Sequence, residues 1–191
     1  MPKVVGVDLA VPGRGKTGLA TVSVTSSGLK LIDYDYTYRL DDAATFINHH
    51  CPHVVAIDAP LSLPGGANVF REAERWAMKA LGARFLPLTF TSMTRLAYTG
   101  ISLRRQVAPC SMVAETHPSS AIKIAGAETA THFLECLGLQ PVPENVPRDV
   151  VDAIIAAATA ALIHRGGALL YGSDAVFIFP LPGLCRRSEP R

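Results

Sequence analysis

The chain of 191 residues is short of several things, and each shortage excludes something. It has no long apolar run: the longest, Ala153 to Ile163, is broken by a threonine and falls well below the roughly 20 residues needed to span a bilayer. No basic segment precedes the first apolar run, and Asp8 sits inside that run, so no signal peptide is expected. Charged residues are only 18% of the chain against 49% hydrophobic, which excludes a disordered polyampholyte and supplies a core. Cysteine is sparse, and Cys51, Cys110, Cys136 and Cys185 contain no C-x-x-C pair. A disulfide framework or zinc site is therefore not expected, and reduced thiols in a cytoplasmic protein fit the pattern. The net charge of +2 does not by itself mark a nucleic-acid binder.

What is present has order. Lys3–Leu9, Thr17–Val24 and Gly28–Tyr38 read as three strands with short connections, hence an antiparallel meander. A helix is expected from Ala43 to Cys51 behind Asp41 and Asp42. The wholly apolar Val54–Ile57 reads as a central strand. A helix over Val69–Leu81 ends at Gly82, and Pro87 with the Thr89–Thr94 cluster breaks the pattern. Further along come a strand at Met112–Ala114, helices at Ser119–Ala125 and Ala127–Leu137, and a proline-rich connector over 141–147. A long alanine-rich helix then runs from Asp149 to about His164, and Ala175–Phe179 reads as a last edge strand. The order implies a mixed α/β domain over 1–191, with a helical insertion around 68–110.

Four acidic positions stand out because apolar residues surround them: Asp8 after VVGV, Asp58 after VVAI, Glu115 after MVA, and Asp152 in DVVDAIIAA. Asp149 precedes Asp152 by three residues and shares its helical face. Converging carboxylates near a core lose hydration and repel one another, and a divalent cation offsets both costs. Mg²⁺ and Mn²⁺ favour such oxygen donors, and a metal pair can clamp the attacking and leaving oxygens of a phosphodiester. Each acid also has an ordinary alternative, as an Asx turn, an N-cap or a dipole partner.

From Arg71 to Arg105 seven basic residues face two acidic ones, so this stretch marks an anion-facing side. Arg71, Arg75, Arg95 and Arg105 are the candidate phosphate contacts.

Other patterns carry less. Ala10–Thr17 lacks the leading glycine of a P-loop and precedes a strand. Ser120-x-x-Lys123 and Lys16-Thr17-Gly18 stand in the wrong order for a β-lactamase. His49, His50, Cys51 and His53 close a helix without a second ligand pair. His117 is either a proton shuttle or a turn residue, and Trp76 reads as core rather than a base-stacking ring.

The segments VVGVDLA…TGLATV, VVAIDAP, RFLPLTFTSMTRLAYTGI, ETHPSS and DVVDAIIAA together resemble the DUF429 family of predicted nucleases. The wider likeness is to RuvC-type resolvases and the ribonuclease H-like superfamily. The resemblance implies a five-stranded mixed sheet in order 3-2-1-4-5, with strands 1–3 antiparallel. It also implies metal ligation by Asp8, Asp58, Asp149 and Asp152; Glu115, at the end of a strand of its own, is the candidate outer ligand or general base. Two departures are visible: Asp58 stands where RuvC-type enzymes carry glutamate, and Ala59-Pro60 follows it directly.

The expected activity is Mg²⁺- or Mn²⁺-dependent hydrolysis of nucleic acid, with no organic cofactor and no membrane partner, and with a homodimer as the assembly considered. The alternatives are a non-catalytic nucleic-acid-binding module and an actin-like ATPase or sugar-kinase-type phosphotransferase.

Overall fold

The computed structural model describes residues 1–66, 68–139, 145–173 and 175–186. Most of the connector over 141–147 lies outside them. The meander forms as its alternation predicts. β1 (Lys3–Asp8) pairs antiparallel with β2 (Thr17–Val24), and β2 with β3 (Leu29–Thr37). Helix α1 (Leu40–His50) returns the chain to β4 (Val54–Asp58), which lies parallel to β1. Two helices, α2 (Glu72–Leu81) and α3 (Thr91–Gln106), stand between β4 and its parallel neighbour β5 (Met112–Glu115). Then follow α4 (Pro118–Ala125), α5 (Ala130–Cys136), α6 (Arg148–Arg165), β6 (Ala168–Tyr171) and β7 (Phe177–Pro180).

The sheet has seven strands in the order β3-β2-β1-β4-β5-β7-β6, and this corrects the five-stranded sheet expected. The extra width comes from β7, parallel to β5, and β6, antiparallel to β7. The segment expected as an edge strand thus lies inside the sheet, and all four residues of β7 are buried. Helix α3 is likewise an addition, since its threonines do not break it. The Thr94 hydroxyl donates to the Phe90 carbonyl and the Thr99 hydroxyl to the Arg95 carbonyl, one turn back.

Strand alternation sorts the core into two sides. Val4, Ala20, Val22, Val54 and Ala56 face α6, whereas Val5, Val7, Leu19, Val55 and Ile57 face α1 and α3. Helix α6 lies unusually close to the sheet because two strand residues lack a side chain. A Cβ on Gly6 would stand 2.0 Å from the Ala153 carbonyl oxygen, and one on Gly18 would stand 2.0 Å from that of Asp149. The alanines of α6 complete this close approach, and Ala153, Ala156, Ala157 and Ala160 are fully buried.

The cysteine expectation is also corrected. Cys136, at the end of α5, and Cys185 form a disulfide across 49 residues, and Cys51 and Cys110 are free and exposed. The fold brings the two together where the Cys185 N–H donates to the Ala125 carbonyl at the end of α4. Among the described residues no helix is long and apolar enough to cross a membrane.

Candidate functional site

Register alone joins two of the predicted acids. Asp8 ends β1 and Asp58 ends β4, and they are direct partners across the parallel pair. Both continue the alternation of the residues that face α6. Asp149 and Asp152 lie in the first turns of α6, and Gly18, the partner of Asp8 on the other flank, admits the Asp149 main chain into contact with β2. Three separate segments therefore bring carboxylates to one corner of the sheet.

The electrostatics of that corner are unfavourable to charge. Burial raises the Asp8 carboxyl from 3.8 to about 7, with further upward pushes from Asp152 and Asp149 and a downward pull from Arg148. Burial, followed by the charges of Asp8, Asp152 and Glu115, holds Asp58 well above the usual carboxylate range. Asp152 is raised by burial too, opposed by Arg148. The Arg148 Nε lies 3.5 Å from the Asp152 Oδ2, an i,i+4 pair that the sequence spacing permits but that the sequence reading missed.

The donors are oxygen atoms whose mutual repulsion a hard cation would relieve, so their chemistry fits Mg²⁺ or Mn²⁺. They are not gathered into a closed shell. Among the described residues no three Asp, Glu, His or Cys side chains stand close enough to ligate one ion. The histidine–cysteine cluster at 49–53 forms no such group either, and His50 instead bonds the Asp33 carboxylate at 3.0 Å.

Glu115 departs from the expected set. It pairs in register with Ile57, not Asp58, so it alternates onto the opposite side of the sheet. There Arg71 reaches it through both terminal nitrogens, with Nη2 donating to Oε2 at 2.8 Å. The same Nη2 donates to Glu74 Oε1 at 2.7 Å, and Glu74 Oε2 accepts the Arg71 backbone N–H at the start of α2. The Leu61 N–H completes the coordination of Glu115. All three side chains are almost fully buried. Burial would lower the Arg71 pKa, but Glu115 and Glu74 more than offset it and keep the guanidinium charged. Arg71, expected as a phosphate contact, is thus paired internally with Glu115 and Glu74, and Glu115, expected as an outer ligand or base, has both carboxylate oxygens engaged by it.

The other three arginines are exposed: Arg75 on α2, Arg95 and Arg105 on α3. The Arg75 Nη1 donates to the Phe70 carbonyl. Arg95 lies on the turn of α3 whose Met93 and Leu96 border the acids. Arg105 is ten residues further along, about 15 Å at 1.5 Å per residue.

A cleft of about 220 Å³ opens beside the acids, lined by Asp8, Asp58, Pro60, Met93, Leu96 and His117 among others. Gly100 of α3 packs on the Pro60 carbonyl and steadies the loop that follows Asp58. His117 caps α4, and its Nδ1 lies 2.8 Å from the Ser120 hydroxyl. Burial lowers its pKa, so it is neutral near pH 7. Trp76 stacks on Tyr171 at 4.2 Å, as a packed side chain should. The apolar rim of Phe85, Leu86, Met93 and Leu96 was not legible beforehand, because apolar residues carry no chemical signature.

Comparison with known proteins agrees with this architecture. Thermus thermophilus RuvC in complex with Holliday junction substrate superposes with a TM-score of 0.52 at 17% identity, covering 86% of this chain and 96% of that one. A further Thermus thermophilus RuvC structure gives 0.47 at 15% identity over 86% and 96%. Fowlpox virus resolvase with its substrate Holliday junction DNA gives 0.43 at 10% over 86% and 97%. No curated protein matches in sequence. At such identity the first likeness shows the fold alone, which is ribonuclease H-like. The profile described as "Protein of unknown function (DUF429)" matches residues 6–108, just over half of the sequence, and the chain belongs to that family.

Proposed function

We propose that the protein is a divalent-metal-dependent nuclease that hydrolyses phosphodiester bonds of nucleic acid. One observation carries this reading: Asp8 and Asp58 stand side by side on the α6 face with Asp152 and Asp149 on the helix beside them, and burial, reinforced by those two acids against Arg148, raises the Asp8 carboxyl to about 7. A purely structural cluster gains nothing from that arrangement, whereas a cation site needs it. The fold shared with RuvC supports the reading.

Asp8 and Asp58 would hold the ion, and Asp152 would join them by releasing Arg148, with Asp149 beside it. A bound Mg²⁺ or Mn²⁺ supplies Lewis acidity and lowers the pKa of a coordinated water. The protein's own part would be to present Asp8 and Asp58, which release their protons to solvent when the cation binds, to border the cleft with Met93 and Leu96, and to steer phosphates with Arg95, Arg75 and Arg105. The Arg71–Glu115–Glu74 set holds the wall of the cleft.

The test is cleavage of labelled single-stranded, duplex and four-way-junction DNA, and of RNA, with Mg²⁺ or Mn²⁺. Wild-type protein is expected to cut at least one of these, and Asp8→Asn or Asp58→Asn to lose at least about 10³-fold in rate, the scale of removing a metal ligand. Failure to cut any of them with either ion overturns the proposal. The open donor set favours a second reading, a module that binds nucleic acid without turnover. Salt-sensitive binding of the same substrates without metal-dependent cleavage selects it.

A further inference from the structure

The edge strand β3, with Tyr38 just past its end and edge-on to Tyr36, carries an exposed aromatic row that the carboxylate site does not use. Tyr34 and Tyr36 are each 42% exposed and Tyr38 is 55% exposed. Their placement follows from a register shift between Thr21 and Val22. Before the shift, Leu29 and Leu31 pack against the α6 core. After it, Tyr34 pairs with Ala20 and Tyr36 with Gly18, so the tyrosines take over the same side of the sheet. One row across the strands therefore reads Tyr36, Gly18, Asp8, Asp58. At roughly 4.8 Å per strand, Tyr36 stands about 10 Å from Asp8, with the N-terminal turn of α6 over Gly18 between them.

Two features indicate what covers these rings. The first is charge. The Lys16 ammonium sits 4.4 Å from the centre of the Tyr36 ring, and Arg148, whose side chain is 90% exposed, opens α6 beside the same row. These two cations flank the rings on their own face, while Asp33 and Asp35 alternate onto the opposite face, and cations beside exposed rings suit a ligand that alternates phosphates with flat bases. The second is the edge itself. The Asp33 carboxylate accepts the Tyr34 N–H at 2.9 Å, and the Asp35 carboxylate accepts the Tyr36 N–H at 2.7 Å. Two acids thus occupy the donors that a further strand would need, which disfavours edge-to-edge pairing with a second copy.

Resting on the nuclease reading, we infer that Tyr34, Tyr36 and Tyr38 form a stacking rail for unpaired nucleobases, leading one strand of the substrate toward Asp8 and Asp58. The substrate would then carry single-stranded character on the β3 side of the cut.

The test is binding in EDTA, where cleavage plays no part, using a fluorescent oligothymidylate and an abasic oligonucleotide with the same number of phosphates. The wild type should prefer the oligothymidylate by tenfold or more. Tyr34→Ala and Tyr36→Ala should each lose about tenfold on it and nothing on the abasic strand, within the usual range for one stacked base. Tyr36→Phe, which keeps the ring, should retain wild-type affinity, and the slope against salt should be unchanged in Tyr36→Ala. Equal affinity for the two oligonucleotides overturns the inference. So does wild-type affinity in the alanine variants, or loss of self-association in those variants with binding unaltered. A protein that stacks bases but cuts nothing keeps the rail and loses the nuclease; one that cuts but ignores these substitutions does the reverse.

Discussion

Asp8 and Glu115 both end buried strands beneath the same cleft, yet they meet opposite fates. Glu115 turns toward α2, where Arg71 grips it and Glu74 shares the same guanidinium. Asp8 turns toward α6, where burial and the charges of Asp152 and Asp149 outweigh Arg148. Burial outweighs the cation at Glu115 as well, but there the guanidinium bonds both carboxylate oxygens, whereas no cation bonds Asp8 among the described residues. A protein can hold acids in its interior by giving each a permanent cation, or it can leave the charge open for one that arrives, and this sheet does both on its two sides.

The completed side gives the largest expected effect. Arg71→Met removes the guanidinium shared by two buried carboxylates, and loss of one partner of a buried pair costs about 3–5 kcal/mol. Urea unfolding should show that loss, and adding Glu74→Gln and Glu115→Gln to Arg71→Met should recover most of it. A loss below about 1 kcal/mol would mean the set is wetter than its burial implies, and the contrast between the two sides would fail.

Next comes the contact that brings α6 to the acids. Gly18→Ala places a methyl into the Asp149 carbonyl, and overpacking of this kind costs about 1–3 kcal/mol. Helix α6 must back away, so the Asp8 carboxyl should titrate nearer its ordinary value of 3.8 in carbon-detected NMR. An unchanged Asp8 titration in a folded variant would show that α6 does not tune the site.

The open side predicts that a functional residue destabilises the fold. Between 3.8 and about 7 the folded protein keeps a proton on Asp8 that the unfolded chain has released. Stability therefore falls as pH rises through that window and levels off above it. Asp8→Asn removes this dependence. In EDTA at pH 8 the variant should be more stable than wild type by about 1–2 kcal/mol, discounted for the partial exposure of the group. A destabilised variant would make Asp8 an ordinary structural residue.

How much of this was legible in the sequence divides along physical lines. Asp8, Asp58 and the Asp149–Asp152 pair were visible because a lone acid amid apolar residues is conspicuous at any register. The fate of Glu115 was not, because only the Ile57–Glu115 register decides which side it faces. Arg71 read as a phosphate contact for the same reason: Glu74 is three positions on, but Glu115 lies 44 positions away. β6 was missed because ALLY is only four residues long and shows no alternation, so it carries no strand signal of its own. The Cys136–Cys185 bond joins positions that only the chain's return past β7 makes adjacent. The meander and central strand, by contrast, formed nearly where alternation placed them, since their signal is local.

The smallest effect tests whether Arg148 is a placeholder for the cation. Its bond to Asp152 is long and its side chain almost wholly exposed, so as a salt bridge it contributes about 0–1 kcal/mol. Arg148→Gln should accordingly leave stability nearly unchanged. It should also release Asp152 and remove a positive charge that now acts on both Asp8 and Asp152. A structural pairing would leave Mn²⁺ affinity unaltered or weaken it. A placeholder competes with the ion, so its removal should tighten Mn²⁺ binding by a few-fold in calorimetry at low ionic strength, about 1 kcal/mol at most. High salt should erase the gain, because an exposed guanidinium is readily screened. Weaker binding in the variant would instead assign Arg148 to holding Asp152 in position, and the open side of the sheet would then be partly preorganised by its own cation.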